Sequence, residues 1–440
     1  MIRYYYLGIF LSLSLLNRLS AQDTIYFFNL QDLWQEVKRH NHTFKTNAIE
    51  NEQAALAYKT SLGNIFNPRM PVSLNFVDNT RLPVNLIPAE IFGGPQGVFR
   101  EVVFGQQFNT LFSFQPQFDI VNMSAIGQIS SARINKKLTE NQSLLNEYLL
   151  YEKVNAIYHN MVSLHAQRKV LVGTRDKAAE ILSVVERRYQ EGIIRKQEVN
   201  EAQVNLILIE DNLEQLVKMI ENQEQDLYLL LENKYTLVLP DTFDASVVIY
   251  SSDVSVSKNV LKSRNVEYQA SMVQQDIKNL QYQYYPVLSF VSGFNWQNLS
   301  NDFFLASNST SFNYNNIGLR FSWDLPTVTR LSTIKNKQYQ YQALQVQKEH
   351  IDKEVETGKA QLKIDHEKAI SQLSNQRKIR MLKEDSYNRY LDQYSENILS
   401  LDRLLIAQMD LLTSQLNEVK AIANVSYTFY KISINNQYQN

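Results

Sequence analysis

The chain has 440 residues, 44 basic against 45 acidic side chains, a formal charge of −1 and no cysteine. Near-neutral balance argues against nucleic acid as the main partner. The missing cysteines exclude disulfides, thiolate metal sites and a lipidated-cysteine membrane tether.

At the N-terminus, Arg3 precedes an apolar tract from Tyr4 to Leu16, and Asn17-Arg18-Leu19-Ser20 leads to Ala21. A basic start, a short apolar core and a small residue at the cut describe a secretory signal over residues 1–21. The tract is too short to span a bilayer comfortably, and nothing after residue 22 offers eighteen consecutive apolar residues. An exported chain of this kind either stays soluble outside the cytoplasm or enters a membrane as β-strands.

Leu33 to Ser61 reads as helix, ended by Asn67-Pro68, because the residue before proline is pushed out of the α region. Val72-Ser73-Leu74-Asn75-Phe76 alternates with period two and predicts a strand. Arg81 to Gln107, rich in Pro and Gly, reads as a long loop, and a second alternation covers Phe112 to Phe118. Helical sequence then runs about seventy residues, roughly 100 Å at 1.5 Å per residue, to a turn near residues 189–194. Beyond it, Val199, Ala202, Leu206, Ile209, Leu213, Leu216 and Ile220 step by three and four, a coiled-coil seam.

The pattern lapses between Lys234 and Lys258, the expected linker, and then the order repeats. Helix from about Val260 to Tyr284 stops at Pro286. A strand at Leu288 to Trp296, a polar loop at Asn298 to Asn316 and a strand at Ile317 to Leu325 follow. A second long helix ends in a turn near 394–399. Phe114 lies 78 residues before Gly192 and Phe321 lies 76 before Asn397, so the halves read as copies of one unit. The expected organisation is a signal peptide (1–21), a first repeat (22–233), a linker (234–258), a second repeat (259–432) and a C-terminal tail (433–440).

In the last strand, Ile317, Leu319, Phe321, Trp323 and Leu325 point one way, and Gly318, Arg320, Ser322 and Asp324 the other. Four strands of about ten residues have the length a tilted membrane strand needs, but they cannot close a barrel alone. Either several chains pool their strands, because open edges are not tolerated in lipid, or the strands form a small soluble β-domain capping a coiled coil. The long hairpins likewise need neighbours to bury their apolar seams. The class expected is mainly α, with long helical hairpins forming an α-barrel and four membrane β-strands per chain, closed into a β-barrel by homotrimerisation.

No catalytic constellation is visible. His40 and His42 lie on a helix at positions about 200° apart and do not converge on a metal. Gly93-Gly94-Pro95-Gln96-Gly97 lacks the Lys-Ser/Thr of a phosphate loop. No enzyme activity, cofactor or metal is expected, and without an ATP site the chain must borrow energy from a partner.

Two segments repeat a signature: Tyr189-x-x-Gly192 with Ala202-Gln203-x-x-Leu206, and Tyr394-x-x-Asn397 with Ala407-Gln408-x-x-Leu411. With the Pro-opened strands at Pro71 and Pro286 and the duplicated helix–strand–loop–strand–helix order, the chain resembles the TolC family of outer-membrane efflux proteins over essentially its mature length. The resemblance implies a homotrimer with a twelve-stranded barrel in the outer membrane and a helical tunnel crossing the periplasm. It also implies a periplasmic adaptor protein linking the tunnel mouth to an inner-membrane pump or exporter. Gly192, Ile193, Ile194, Asn397, Ile398 and Leu399 are then the expected adaptor-docking tips. Ile317, Leu319, Phe321 and Trp323 are the expected lipid-facing strand.

One departure concerns the constriction. Relatives carry an Arg two residues beyond the second turn glycine and Asp residues six and nine beyond it. Here those positions hold Leu399, Arg403 and Ile406, with Asp402 the only nearby acid. Glu198 stands where the family often has Asp in the first repeat. The expected constriction set is therefore Glu198, Asp402 and Arg403, with a Glu198–Arg403 pair as a candidate replacement for the closure network. A periplasmic adaptor or scaffold is the competing function, although adaptors carry one hairpin flanked by β-rich modules. A fibrous coiled coil is a third, which would not need lipid-type alternation.

Overall fold

The computed structural model describes residues 24–27, 29–232, 236–238 and 258–437. The expected signal segment and most of the expected linker lie outside the described residues. In chain order the elements are β1 (Thr24–Tyr26), α1 (Leu30–His40), α2 (His42–Gly63), β2 (Val72–Asp78), β3 (Val84–Pro88), β4 (Phe99–Val103), β5 (Phe108–Phe114) and β6 (Gln117–Val121). The rest are α3 (Met123–Gln190), α4 (Lys196–Leu231), β7 (Thr236–Val238), α5 (Lys258–Tyr282), β8 (Val287–Ser300), β9 (Thr310–Ser322), α6 (Val328–Ser395) and α7 (Leu401–Gln437). Two compact units result, one mostly helical and one built around the sheet.

The helical unit takes the described residues of 1–49, 141–265 and 348–440. Its N-terminal helix α1 shows how the sequence works locally. Asn29 caps it by accepting a hydrogen bond from the Asp32 amide at 2.9 Å, and Leu30, Leu33, Trp34 and Val37 form one buried stripe. That stripe packs on Tyr148, Tyr151 and Val154 of α3, Leu227 and Leu230 of α4, and Ile434 of α7. Helix is interrupted at Asn41, where continuous helix was expected from Leu33 to Ser61. The backbone of Asn41 is extended, its Nδ2 donates to the Leu230 carbonyl at 2.8 Å, and its Oδ1 accepts from the Thr43 amide at 2.9 Å. One side chain thus ends α1 and starts α2, trading a turn of helix for a buried hydrogen bond. Two further differences belong here. Within the expected linker, β7 pairs parallel with β1, and α7 runs through the expected tail boundary to Gln437 with Ile434 and Asn435 buried.

The sheet unit takes residues 50–140 and 266–347. Its main sheet runs β2–β5–β8, with β6 also on β8 and β9 along the other side of β8. The expected strand at Phe112 to Phe118 is two strands, β5 and β6, broken at Pro116, whose ring removes the ladder donor. They pair end to end with β8: Phe114 opposite Phe294, Phe118 opposite Phe290. The expected loop Asn298 to Asn316 shortens to residues 301–309, because β8 and β9 continue pairing up to Leu299 opposite Thr310. At its other end β9 stops at Ser322, so Trp323, Asp324 and Leu325 lie beyond the strand. The expected long loop 81–107 contains a separate hairpin, with Val84 opposite Val103 and Pro88 opposite Phe99.

Candidate functional sites: helical tips and sheet faces

At the tips, α3 and α6 are each 68 residues long and end two residues before a left-handed residue, Gly192 (φ 74°) or Asn397 (φ 61°). Both turns close identically. Ile193 donates its amide to Arg188 O at 2.9 Å and Gly192 to Tyr189 O at 2.9 Å. Ile398 donates to Gln393 O at 2.8 Å and Asn397 to Tyr394 O at 3.1 Å. These are Schellman closures, which require the left-handed conformation that Gly adopts freely and Asn tolerates.

The turns are also joined to each other. Arg188 donates to Asn397 Oδ1 at 3.1 Å and lies 4.9 Å from the centre of the Tyr394 ring. Beneath them Ile181 and Val185 of α3, Val199 and Ala202 of α4, Tyr387 of α6 and Leu404 of α7 share one apolar core. The repeated Ala-Gln segments meet there: Ala202 and Ala407 are buried, and Asn205 donates to Gln408 Oε1 at 2.8 Å in a buried pair. A small residue at each position lets α4 and α7 approach.

The six expected docking residues divide. Ile193 is 63 % exposed and Ile398 71 %, at equivalent positions. Ile194 and Leu399 instead pack against the tip core, so they fasten the hairpins and are not exposed as expected. The constriction residues divide as well. Glu198 and Asp402 both sit in the first turn of the helix after a tip, where negative charge is favoured. A hydrogen bond from the Ser400 side chain is the first cause holding the Asp402 carboxyl below the usual carboxylate range. Within one chain no ion pair joins Glu198 to Arg403 among the described residues. Arg403 instead lines an open groove of about 770 Å³ with Leu382, Lys383, Tyr390, Asp402 and Asp410. Across it, Lys383 pairs with Asp410 at 2.5 Å, and further along Arg380 pairs with Glu418 at 2.6 Å, zipping α6 to α7.

The part of the sheet nearer α5 and α6 has two chemically opposite faces, whereas toward residues 301–309 Phe312 and Tyr314 of β9 lie on the side of Asn295. Residues directly opposite in an antiparallel ladder share a face. The register therefore groups Val72, Phe114 and Phe294; Leu74, Phe112 and Trp296; Phe118, Phe290 and Leu319; and Leu288 with Phe321. Ring contacts follow the same rows, Phe114 to Phe294 at 6.1 Å and Phe118 to Phe290 at 4.9 Å. On the other face Ser113 donates to Asn295 Oδ1 at 2.7 Å, and Ser289 donates to Asp119 Oδ1 at 2.7 Å. Arg320, opposite Ser289, reaches Gln117 Oε1 at 3.3 Å. Ser113, Ser289, Asn295 and Asp119 are buried while Val72, Leu74, Leu319 and Phe321 are exposed, the reverse of a water-soluble sheet. Among the described residues β2 pairs with β5 alone and β9 with β8 alone. Trp323 lies past the strand end, and its indole donates to Tyr284 O at 2.9 Å.

His40 bonds Glu36 and His42 bonds Glu232, each an ordinary side-chain pair. Among the described residues no cluster of metal-binding side chains occurs, and no helix is long and apolar enough to cross a membrane.

No protein-family model matches the sequence, and no curated protein matches it by sequence. Solved structures do match. The outer membrane protein VceC of Vibrio cholerae superposes with a TM-score of 0.69 at 14 % identity, over 92 % of this chain and 95 % of VceC. CusC, described in connection with transmembrane channel formation, gives 0.73 at 14 % identity over 93 % of each chain. The Campylobacter jejuni outer membrane channel CmeC gives 0.68 at 14 % identity, over 92 % of this chain and 84 % of CmeC. The chain has the fold of these proteins along nearly its whole length.

Proposed function

We propose that the chain is a passive outer-membrane export duct of the TolC type. The observation that carries this reading is the inverted sheet: an exposed apolar face in register across four ladder positions, backed by buried hydroxyls, amides and a carboxylate. Water does not stabilise that arrangement, whereas lipid outside and an aqueous lumen inside do. The open edges of β2 and β9 call for strands from neighbouring copies. Three chains pooling four strand positions each, with β5 and β6 acting as one, give a barrel of twelve. In this reading the helical tips meet a periplasmic adaptor coupled to an energised inner-membrane partner. Ile193 and Ile398 are suited to that contact, since each is an exposed branched side chain on a rigid turn. The duct performs no catalysis in this reading.

Two measurements test it. The full chain is expected in outer-membrane fractions as a detergent-requiring, heat-modifiable trimer; recovery as a soluble monomer in osmotic-shock fluid would refute the duct. Gly192→Val combined with Ile193→Glu is expected to abolish export while the trimer remains in the membrane. Normal export by that variant, at normal protein level, removes the tip from the docking site.

A further inference from the structure

The turn between β8 and β9 does not extend freely from the sheet end. Residues 301–309 fold back over the apolar face. The Phe304 ring sits 5.5 Å from Phe76 and 4.9 Å from Phe108, and Phe303 sits 5.5 Å from Phe108. Phe76 shares its side of β2 with Val72 and Leu74, and Phe108 shares its side of β5 with Phe112 and Phe114. Polar bonds hold the bend: Asp302 accepts from Asn308, Asn301 Oδ1 accepts from the Gln107 amide at 3.2 Å, and Asn298 donates to Ser309 Oγ at 2.5 Å.

Two large apolar side chains remain uncovered at the crest. Phe303 is 64 % exposed, and Leu305 is 53 % exposed with a φ of 58°. Among the described residues the other left-handed positions hold Gly, Asn or Glu232. A leucine there is strained, and glycine or asparagine would relieve it. An exposed and strained leucine beside an exposed phenylalanine gains nothing in water. It does gain from burial in a hydrocarbon environment continuous with the apolar strand face below.

We propose that loop 301–309 is a lipid-anchoring loop: Phe303 and Leu305 insert into the bilayer beside the barrel wall, at the sheet end away from α5 and α6. The partner is the acyl-chain region of the surrounding lipid. This rests on the duct reading, because it extends the strand face assigned to lipid. It also directs the loop outward, away from the polar face and its lumen.

The absence of cysteine makes a direct test available. Phe303→Cys, Leu305→Cys, Ser307→Cys and Leu319→Cys are made singly in the full chain and labelled with an environment-sensitive fluorophore. They are then reconstituted in phosphatidylcholine vesicles containing a nitroxide-labelled lipid. Positions 303, 305 and 319 are expected to show blue-shifted emission quenched by the nitroxide, and 307 neither. Quenching at 319 with water-like emission at 303 and 305 overturns the anchor and leaves the duct intact. No quenching at 319 sinks the strand-face assignment itself. Blue-shifted but unquenched emission at 303 and 305 assigns the loop to contact with a neighbouring copy, and also overturns the proposal. If a labelled position blocks assembly, Phe303→Trp replaces it, with lipid-quenched tryptophan emission in excess of the unmodified chain as the readout.

Discussion

His159 sits in the helical unit at 3 % exposure, with Nδ1 2.9 Å from the Asn155 carbonyl and Tyr430 5.3 Å away. Burial disfavours the imidazolium and lowers its pKa to about 4. Between about pH 6.5 and 4 the unfolded chain binds a proton that the folded chain refuses, so stability falls as pH falls through that window. The loss totals on the order of 3 kcal/mol once both forms are past their pKa values. His159→Gln is expected to flatten this part of the pH dependence, measured as denaturation midpoints at pH 7 and pH 5; equal slopes in both proteins would refute the assignment. Residue chemistry of this kind is poorly legible in a sequence. His159 falls in a long helical pattern where only the folded neighbours reveal its burial. Asn41 is a similar case: a polar residue between helical stretches carries no mark of the Leu230 carbonyl it bonds, 189 residues away. Gly192 and Asn397 were legible because a left-handed turn restricts its own occupant.

Among the elements, the long helices and the lower half of β9 were readable from periodicity, although the alternation continues to Leu325 while the strand ends at Ser322. The upper half was missed. Thr310 to Asn316 is dominated by Asn, Ser and Thr and reads as loop, yet Phe312 and Tyr314 alternate within it and thirteen positions pair with β8. The β3–β4 hairpin was hidden for a related reason, its flanking Pro and Gly residues signalling turns while saying nothing of the short strands between. The face assignment has a direct consequence. Phe321 is opposite Leu288 on the apolar side, and Ser322 is opposite Val287 on the side of Arg320. Phe321 lies one residue inside the end of β9, where the cost of an arginine facing lipid falls toward about 0–1 kcal/mol per chain, so Phe321→Arg is expected to lower the trimer yield. Ser322→Arg is expected to be milder. Equal trimer yields on gels of unheated membranes would show that the face assignment is wrong.

At the scale of the molecule, the duplication was legible because two tips repeat one signature, and the structure closes both turns with the same hydrogen bonds. What the sequence could not supply is the setting of Arg403 within one chain, where it lines a groove with Asp402 and Asp410. On the proposed reading three copies of Arg403 surround a narrow axis and repel cations. The trimer in a planar bilayer is expected to show weak cation preference and little block by multivalent cations, and Arg403→Asp to raise both; strong selectivity with micromolar block in the unaltered channel would move Arg403 off the constriction. The register of the sheet also bears on how the chain reaches its final state. The strands β8 and β9 are joined by a nine-residue turn and pair without distant help. Pairing Phe114 with Phe294 instead closes a loop of about 180 residues that contains the whole first helical hairpin. Loop-closure entropy for that length is on the order of 4–5 kcal/mol, to be met before the contacts formed offset it. The β8–β9 ribbon is thus expected to form early and to wait, both edges unpaired, for a strand made far earlier in the chain. On the proposed reading the chain carries, during that wait, a ready template for wrong partners. Its passage to the membrane is then a race between closing that loop and aggregating.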